Sequence, residues 1–528
     1  MTTQVRREVR AQGAGWSETL VWYEKAVRVL QSRPLDDRTS WRFLAAMHGL
    51  RPASWIEFGI VGPGDTPPPA PEQVRFWNQC QHQSWYFLPW HRGYLSAFER
   101  IIRDAVVTAG GPSDWALPYW NYSDTTIADA RVLPDAFASP TLDDGTANAL
   151  FVERRYGVGV TPIELAAEDV LLTALDDDQF TGGADDIPPG FGGPMTLFHH
   201  GPESETTNGS LESSPHNALH VAIGGSKPGA NPQDWRNWGL MTTPSTAALD
   251  PIFWLHHANI DRLWSVWLRG NVNPDDESWL DGPADRTFVM PTTEGGEWEF
   301  SAADVLDTSA APLQYTYDDE PPEPEPPLPA EGRRARRLRA LGVAPRTPSE
   351  VRGDEGAGMG QERAPELIGA SGGSIHVAGE TGAELRMDKP RAEVLSRGLR
   401  RAIEDGADAG AVAEPPRVFL KLEGIRGTSD AANYYVYVDM PSGADRSEYA
   451  DRLAGTVSLF GVTAASDEEG PNAGNGLNQV LEITRIVDAL QLSGRDLETI
   501  DVRFVPADDV VAAVDFSIRR VGVFILEQ

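Results

Sequence analysis

Apolar residues recur at helical steps through much of the N-terminal part of the chain. The stretch SETLVWYEKAVRVLQ predicts an amphipathic helix with Ser17 as N-cap, ending before Pro34. A second helix, WRFLAAMHGL, opens at Thr39 or Ser40; Leu44, Met47 and His48 share one side, and Gly49 lies near its end. The Pro-rich GPGDTPPPAPEQ reads as a loop. Beyond it, Leu95, Phe98 and Ile102 follow His91 at steps of three and four, which places His91 on a buried helical stripe. In NGSLESSPHNALHVAIGG, Ser213 or Ser214 caps a helix with Pro215 in its first turn, and His216 and His220 fall one turn apart on one face. The clearest helix is DPIFWLHHANIDRLWSVWLR, with Asp250 as cap and Pro251 at its first position. There Phe253, His257, Ile260, Asp261 and Trp264 share a face, while His256 lies about 100° round the axis.

Between Asp124 and Pro194 the pattern is mixed and rich in Gly, Asp and Pro, which predicts long loops with short helices. After Tyr315 and Tyr317 the composition changes. DDEPPEPEPPLPA is acidic and extended, and GRRARRLRALG follows with five arginines between Arg333 and Arg339. Residues 318–370 read as a linker. Beyond them the period becomes two: RVFLKLEGI, NYYVYVDMP, GTVSLFGVT, NQVLEITRI, DVRFVPA and RVGVFILE predict strands of a separate antiparallel β domain, interrupted by one helix, VDALQLSG.

With 528 residues the chain is too long for one hydrophobic core. A formal charge of −33 argues against a nucleic-acid partner, because phosphates would be repelled. One cysteine excludes an intrachain disulfide. The N-terminus has basic residues but no apolar run behind them, and no stretch of about 18 apolar residues appears, so neither a signal peptide nor a membrane span is expected. A cytoplasmic location fits this pattern, with export alongside a partner left open.

The chain has ten histidines. His48, His82 and His91 form one set of three; His216, His220 and His257 form another. A neutral imidazole aimed into a core is costly unless a hydrogen bond or a metal meets its lone pair. No carboxylate or thiolate is an obvious further ligand, and three imidazoles with an open position suit copper, zinc or iron. Two such sites on paired helices point to a metal pair holding a small ligand such as dioxygen.

At this point the sequence resembles a family. H-x4-FLPWHR-x2-L-x3-E from His82 to Glu99, and DPIFWLHHANID from Asp250 to Asp261, look like the two signature motifs of tyrosinases, catechol oxidases and molluscan haemocyanins. ALPYWNYSD, PHNALH and YTY at Tyr315–Tyr317 are family-like as well, and the C-terminal part is more weakly similar to the β-sandwich of plant polyphenol oxidases. The resemblance implies a mainly α catalytic core over residues 1–317, a four-helix bundle holding two copper ions. It is followed by a smaller antiparallel β-sandwich over residues 371–528. His48, His82 and His91 would hold one copper, and His216, His220 and His257 the other. Within the adjacent pair His257 is the implied ligand and His256 a neighbour. His199, His200 and His376 are expected to be ordinary, and Phe253 to pack against the ligands.

The resemblance also implies a thioether between Cys80 and the ring of His82, and a water held by Glu212 and Asn217 that takes the proton of a phenol. The implied activity is o-hydroxylation of monophenols and oxidation of o-diphenols to o-quinones with dioxygen. The alternatives are a haemocyanin-like oxygen carrier and an o-aminophenol oxidase. Thr243 is expected near the entrance. The C-terminal domain is expected to cover the site, with the loop GVTAASDEEGPNAGNG as a candidate for the covering segment, until an activating protease cuts at exposed arginines of the linker.

Overall fold

The computed structural model describes residues 3–13, 15–157, 162–197, 207–320, 337, 364–404, 415–470, 472–508 and 513–527. His199 and His200, and most of the expected linker, lie outside these residues.

The core is built from α1 (Glu18–Ser32), α2 (Trp41–His48), α3 (Pro52–Glu57), α4 (Ala70–Phe76), α5 (Phe87–Thr108), α6 (Asp135–Ala138), α7 (Ala218–Gly224), α8 (Pro251–Trp267) and α9 (Glu277–Asp281). Side-chain caps start three of them as the sequence predicts. Ser17 accepts from the amide of Leu20, Ser40 from that of Phe43, and Asp250 from that of Ile252. Every residue of α5 from Phe87 to Glu99 is buried, so this helix is the axis of the core. Tyr94 of α5 donates to Leu44 O of α2 at 2.6 Å, and Phe98 stacks on Trp254 of α8 with centroids 3.4 Å apart. Gly93 is required by packing: a Cβ there would lie 2.2 Å from the ring of Phe300.

The cap expected at Ser213 or Ser214 is not there. The helical turn begins at Ser210 and widens into a π-turn over Glu212–Asn217, with Ser214 extended at φ −151° and ψ 131°. Pro215 supplies no amide to the ladder, so the chain bulges before α7 resumes regular bonding. Between Asp124 and Pro194 the chain forms short turns of helix, such as Ala167–Val170 and Thr173–Asp176, as the mixed pattern suggests.

The ends of the core are stitched together. β1 (Gln4–Arg6) pairs in parallel with Tyr315–Tyr317, with Arg6 opposite Tyr317. Arg6 is fully buried and donates to Glu99 at 2.7 Å and to Asp261 at 3.1 Å. Arg92 donates to the other oxygen of Asp261 at 2.6 Å, and the hydroxyls of Tyr315 and Tyr317 complete the network. Burial alone would raise the pKa of Asp261, but Arg92 and Arg6 hold it below the ordinary carboxylate value. Arg92, Glu99, Asp261 and the YTY segment, all parts of the recognised motifs, therefore serve this buried cluster.

A hairpin of β2 (Phe288–Pro291) and β3 (Glu297–Phe300) precedes β4 (Tyr315–Tyr317). The C-terminal domain contains β5 (Glu366–Ser371), β6 (Ile375–Ala378), β7 (Thr381–Met387), β8 (Arg417–Gly427), β9 (Asn433–Val438), β10 (Leu453–Ser458), β11 (Leu477–Glu482), β12 (Thr499–Pro506) and β13 (Asp515–Leu526). Among the described residues they are accompanied by the helices α10 (Lys389–Glu404), α11 (Val462–Ser466) and α12 (Thr484–Leu492). The strand order is β10-β9-β12-β7-β5-β13-β8-β11, with β6 also on β13, all antiparallel. The two ends of this path meet: Gln479 of β11 donates to Thr456 O of β10 at 2.7 Å. The domain is thus one sheet curled almost into a barrel around Leu420, Val436, Val502 and Val523, rather than two stacked sheets.

Two boundaries and the burial of one residue differ from the sequence reading. β5 begins at Glu366, inside the stretch assigned to the linker. β10 stops at Ser458, so the end of GTVSLFGVT leaves the sheet. Arg337, one of the linker arginines expected to be exposed, is only 9% exposed and makes a bidentate pair with Asp488 of α12 at 2.9 and 3.0 Å.

Candidate metal centre

The six histidines singled out above converge from separate segments of the core. His48 ends α2, His91 lies in the first turns of α5, His216 sits in the π-turn, His220 in α7 and His257 in α8; His82 comes from the loop before α5. Side-chain nitrogens of His48, His82 and His91, with Cys80 Sγ, all lie within 4.8 Å of one another. So do those of His216, His220, His256 and His257. The groups adjoin: the rings of His91 and His257 stack with centroids 4.6 Å apart.

Four of the six rings, those of His48, His91, His216 and His220, are aimed by a bond from the far nitrogen, whereas His257 Nδ1 is buried without a partner. His48 Nδ1 donates to Pro244 O at 2.9 Å, and His91 Nδ1 to Phe87 O at 2.7 Å. His216 Nδ1 donates to Asn217 Oδ1 at 2.8 Å, and His220 Nδ1 to Met241 O at 3.2 Å. These bonds place the proton on Nδ1 and turn the Nε2 lone pairs inward. His48 Nε2 is buried with no hydrogen-bond partner. Burial also drives the imidazoles towards neutrality: His48 falls to about 4 and His216 to about 3, and His91, His220 and His257 fall well below the ordinary value. Neutral, oriented nitrogens with unmet lone pairs are the donor set a divalent or monovalent copper ion requires.

Both members of the adjacent pair His256 and His257 belong to the second group, and His256 Nε2, like His48 Nε2, is buried without a hydrogen-bond partner. His257 Nε2 lies 3.3 Å from both His216 Nε2 and His220 Nε2. His256 instead turns Nδ1 towards the hydroxyl of Tyr122 at 3.3 Å. Phe253 packs on these histidines, 4.1 Å from the ring of His257 and 4.9 Å from that of His48. His376 is exposed on β6, near Asp515 at 3.6 Å, and lines no part of the site.

Cys80 Sγ is buried 3.3 Å from His82 Nε2 and equally 3.3 Å from His91 Nε2. Burial pushes the thiol pKa well above its usual value. Glu212 is buried and accepts from the backbone amide of Gln83 at 3.0 Å. Burial raises its pKa to about 8, with the amides of Gln83 and Gly209 opposing the rise. Glu212 and Asn217 both line a cavity of about 730 Å³ that also touches His48 and His82. Thr243 lines it too.

The roof of this cavity belongs to the C-terminal domain. Phe460 is buried and stacks on His220, centroids 4.4 Å apart and planes at 18°. It stands between β10 and α11, just before Gly461 at φ +80°. The sequence pointed to the loop starting at Gly461; the side chain that reaches the histidines is the residue before it. Around it, Ser458 donates to Asn217 O at 3.0 Å, Asn433 to Ala218 O at 2.7 Å, and Asn472 to Gln83 Oε1 at 2.9 Å. Asp169 of the core accepts from Asn433 at 3.1 Å and from Tyr435 at 3.3 Å.

Residues 38–166 and 178–270 match the common central domain of tyrosinase, and residues 364–525 match a domain of unknown function, DUF7868. The chain is 31% identical to tyrosinase HcTyr1 of Hahella sp. (strain CCB-MM4) over 96% of both chains. It is 30% identical to a chloroplastic polyphenol oxidase of Vitis vinifera, over 58% of this chain and 46% of that one. Among solved structures, latent apple tyrosinase aligns over 100% of this chain and 98% of its own at 19% identity and a TM-score of 0.55. Recombinant latent aurone synthase aligns over 100% and 90% at 17% identity and a TM-score of 0.57. The relative matched along nearly its whole length, together with two adjoining histidine groups, shows that the chain belongs to the tyrosinase family of binuclear copper oxidases acting on phenols.

Proposed function

We propose that this protein is a latent phenol oxidase. It o-hydroxylates monophenols and oxidises o-diphenols to o-quinones once its C-terminal domain is displaced. The observation that carries this reading is Phe460, an aromatic ring of that domain seated on His220 among six inward-facing imidazoles. His48, His82 and His91 hold one copper, and His216, His220 and His257 the other. The copper pair, when bound, supplies the binding and reduction of dioxygen.

The remaining steps belong to side chains. A phenol, with a pKa of about 10, binds metal as phenolate and must first lose its proton. Glu212 and Asn217 hold the water that takes it. A carboxyl raised to about 8 by burial is a far better match to a phenol than an ordinary glutamate. Asn217 is held in place by His216 through its Oδ1 and by Ser458 through its carbonyl. Cys80 and His82 are joined by a thioether, which removes a thiol that copper and dioxygen would otherwise oxidise.

Release proceeds by proteolysis between the two anchored ends of the linker. On the core side Asp318 accepts from Tyr119 at 2.7 Å and Asp319 from Arg262 at 2.6 Å. On the other side Arg337 is clamped to Asp488. Arg333, Arg334 and Arg336 lie between these anchors and offer sites to a trypsin-like protease.

The test is to cut the linker and measure oxidation of a monophenol, an o-diphenol and an o-aminophenol at equal copper content. Faster oxidation of the first two supports the reading. Turnover confined to the o-aminophenol would make this a narrower biosynthetic oxidase, and reversible dioxygen binding without turnover would make it a carrier.

A further inference from the structure

The covered cavity holds a single guanidinium in a chain that carries −33 overall. Its charged lining, apart from the imidazoles, is Arg51 and Glu212 from the core and Asp467 from the cover. Glu212 is committed to the backbone of Gln83. Arg51 lies three residues after His48, so its Cα is at most about 11 Å from that of a metal-site histidine. Its guanidinium sits 5.4 Å from the ring of Trp235, which is in turn 5.9 Å from Phe58.

Neighbouring cations are already engaged. Arg154 donates to the carbonyls of Arg236 and Trp238 at 3.0 and 3.1 Å, and Arg236 pairs with Asp234 at 3.2 Å. Among the described residues Arg51 has no carboxylate within ion-pair distance.

The cover mirrors this arrangement. It lays one aromatic ring, Phe460, flat on His220, and brings one carboxylate, Asp467, to the wall of the same cavity. A ring deep in the site and an acid group further out are the two features of an aromatic acid. The core offers the complement, an imidazole face and a guanidinium beside an indole.

We propose that the preferred substrates are phenols with a carboxylate on the side chain opposite the hydroxyl, and that Arg51 is the specificity residue that receives this carboxylate. This rests on the reading of the site as a phenol oxidase. Arg51 touches the tail of the substrate and takes no part in the chemistry. It should therefore act on KM and leave kcat alone. Being near solvent, the pair should contribute about three- to tenfold, and less as salt rises.

The test uses the copper-loaded full-length chain carrying Phe460→Ala, with and without Arg51→Gln or Arg51→Lys. The wild-type chain cut in its linker is the second route should that variant fail to fold. Two pairs of compounds are compared: 3-(4-hydroxyphenyl)propionate with its amide as substrates, and cinnamate with cinnamamide as non-oxidisable ligands titrated by calorimetry. Arg51→Gln is expected to raise KM for the acid and weaken cinnamate binding about three- to tenfold, to leave both amides unchanged, and to be largely rescued by Lys. Equal binding of cinnamate and cinnamamide to the Arg51 protein, or an equal effect of Arg51→Gln on both, would overturn the inference whatever the turnover. Selective cinnamate binding lost in Arg51→Gln, without oxidation of either phenol, would support Arg51 as the acid receptor and reject the oxidase reading instead.

Discussion

Removing the ring of Phe460 should unlatch the protein without any cut. The side chain is 4% exposed and stacked 4.4 Å above His220. Burying a phenylalanine is worth about 1.5–3 kcal/mol, and an aromatic stack adds about 0.5–1.5 kcal/mol. A substrate that must displace this ring therefore meets a competent state disfavoured by roughly 2–4 kcal/mol relative to a cover lacking it. By population-shift arithmetic that lowers apparent affinity by about 30- to 1,000-fold. Full-length Phe460→Ala should then oxidise a small catechol at subsaturating concentration about a hundredfold faster than the full-length wild type. A bulky phenol, still blocked by the rest of the cover, should gain much less. Initial rates at equal copper content, with unchanged secondary structure by circular dichroism, decide the matter. A variant no faster than wild type on the small catechol would refute the idea that this ring closes the site.

Four further outcomes are expected. Glu212→Gln or Asn217→Ala should lower the ratio of monophenol to diphenol turnover, because deprotonation is the harder step for a monophenol; an unchanged ratio in both removes the water-holding role. Peptide mass mapping of the copper-matured chain should find Cys80 joined to His82 with two hydrogens lost, and a Cys80 that alkylates freely in active protein would rule the thioether out. Asp169 is raised by burial to about 7 against an ordinary 3.8, with Glu168 adding to the rise and Tyr435 and Asn433 opposing it. Its proton is held more tightly in the covered fold, so its contribution to stability is complete below about pH 4 and is lost as pH rises through about 7. Asp169→Asn should flatten this part of the melting-temperature profile, and an identical profile would count against it. Finally, Arg6→Ala should cost about 3–5 kcal/mol in urea unfolding, because Asp261 and Glu99 are left buried without their cation; a loss under about 1 kcal/mol would show that the network is not needed.

Local signals were readable wherever they repeat along the chain. The caps at Ser17, Ser40 and Asp250, the period of α5, and the motifs around His91 and His257 each act over a few residues. The cavity is another matter. Arg6 meets Asp261 across 255 positions, and no pattern near either residue announces the other. Strands β5 to β7 escaped notice because Gly and charged residues break their alternation at the sheet's partly exposed stretch. Phe460 looked like the continuation of a strand, since Leu459 and Phe460 extend its apolar run. Only the left-handed turn at Gly461 takes it out of the sheet and over the histidines. The π-turn was hidden for a related reason, because Ser-Pro at 214–215 reads equally well as a helix start.

The pairing of β1 with β4 sets a timetable for synthesis. The core cannot close until Tyr315–Tyr317 have emerged to receive Gln4–Arg6, and by then every metal-site histidine has already been made. The cover follows as residues 366–526, so Phe460 reaches His220 only after the core is complete. At about 5–20 residues per second, the nascent chain spends roughly ten to forty seconds with its histidines assembled and its roof missing. During that interval the histidines stand open to copper, before Phe460 settles on His220.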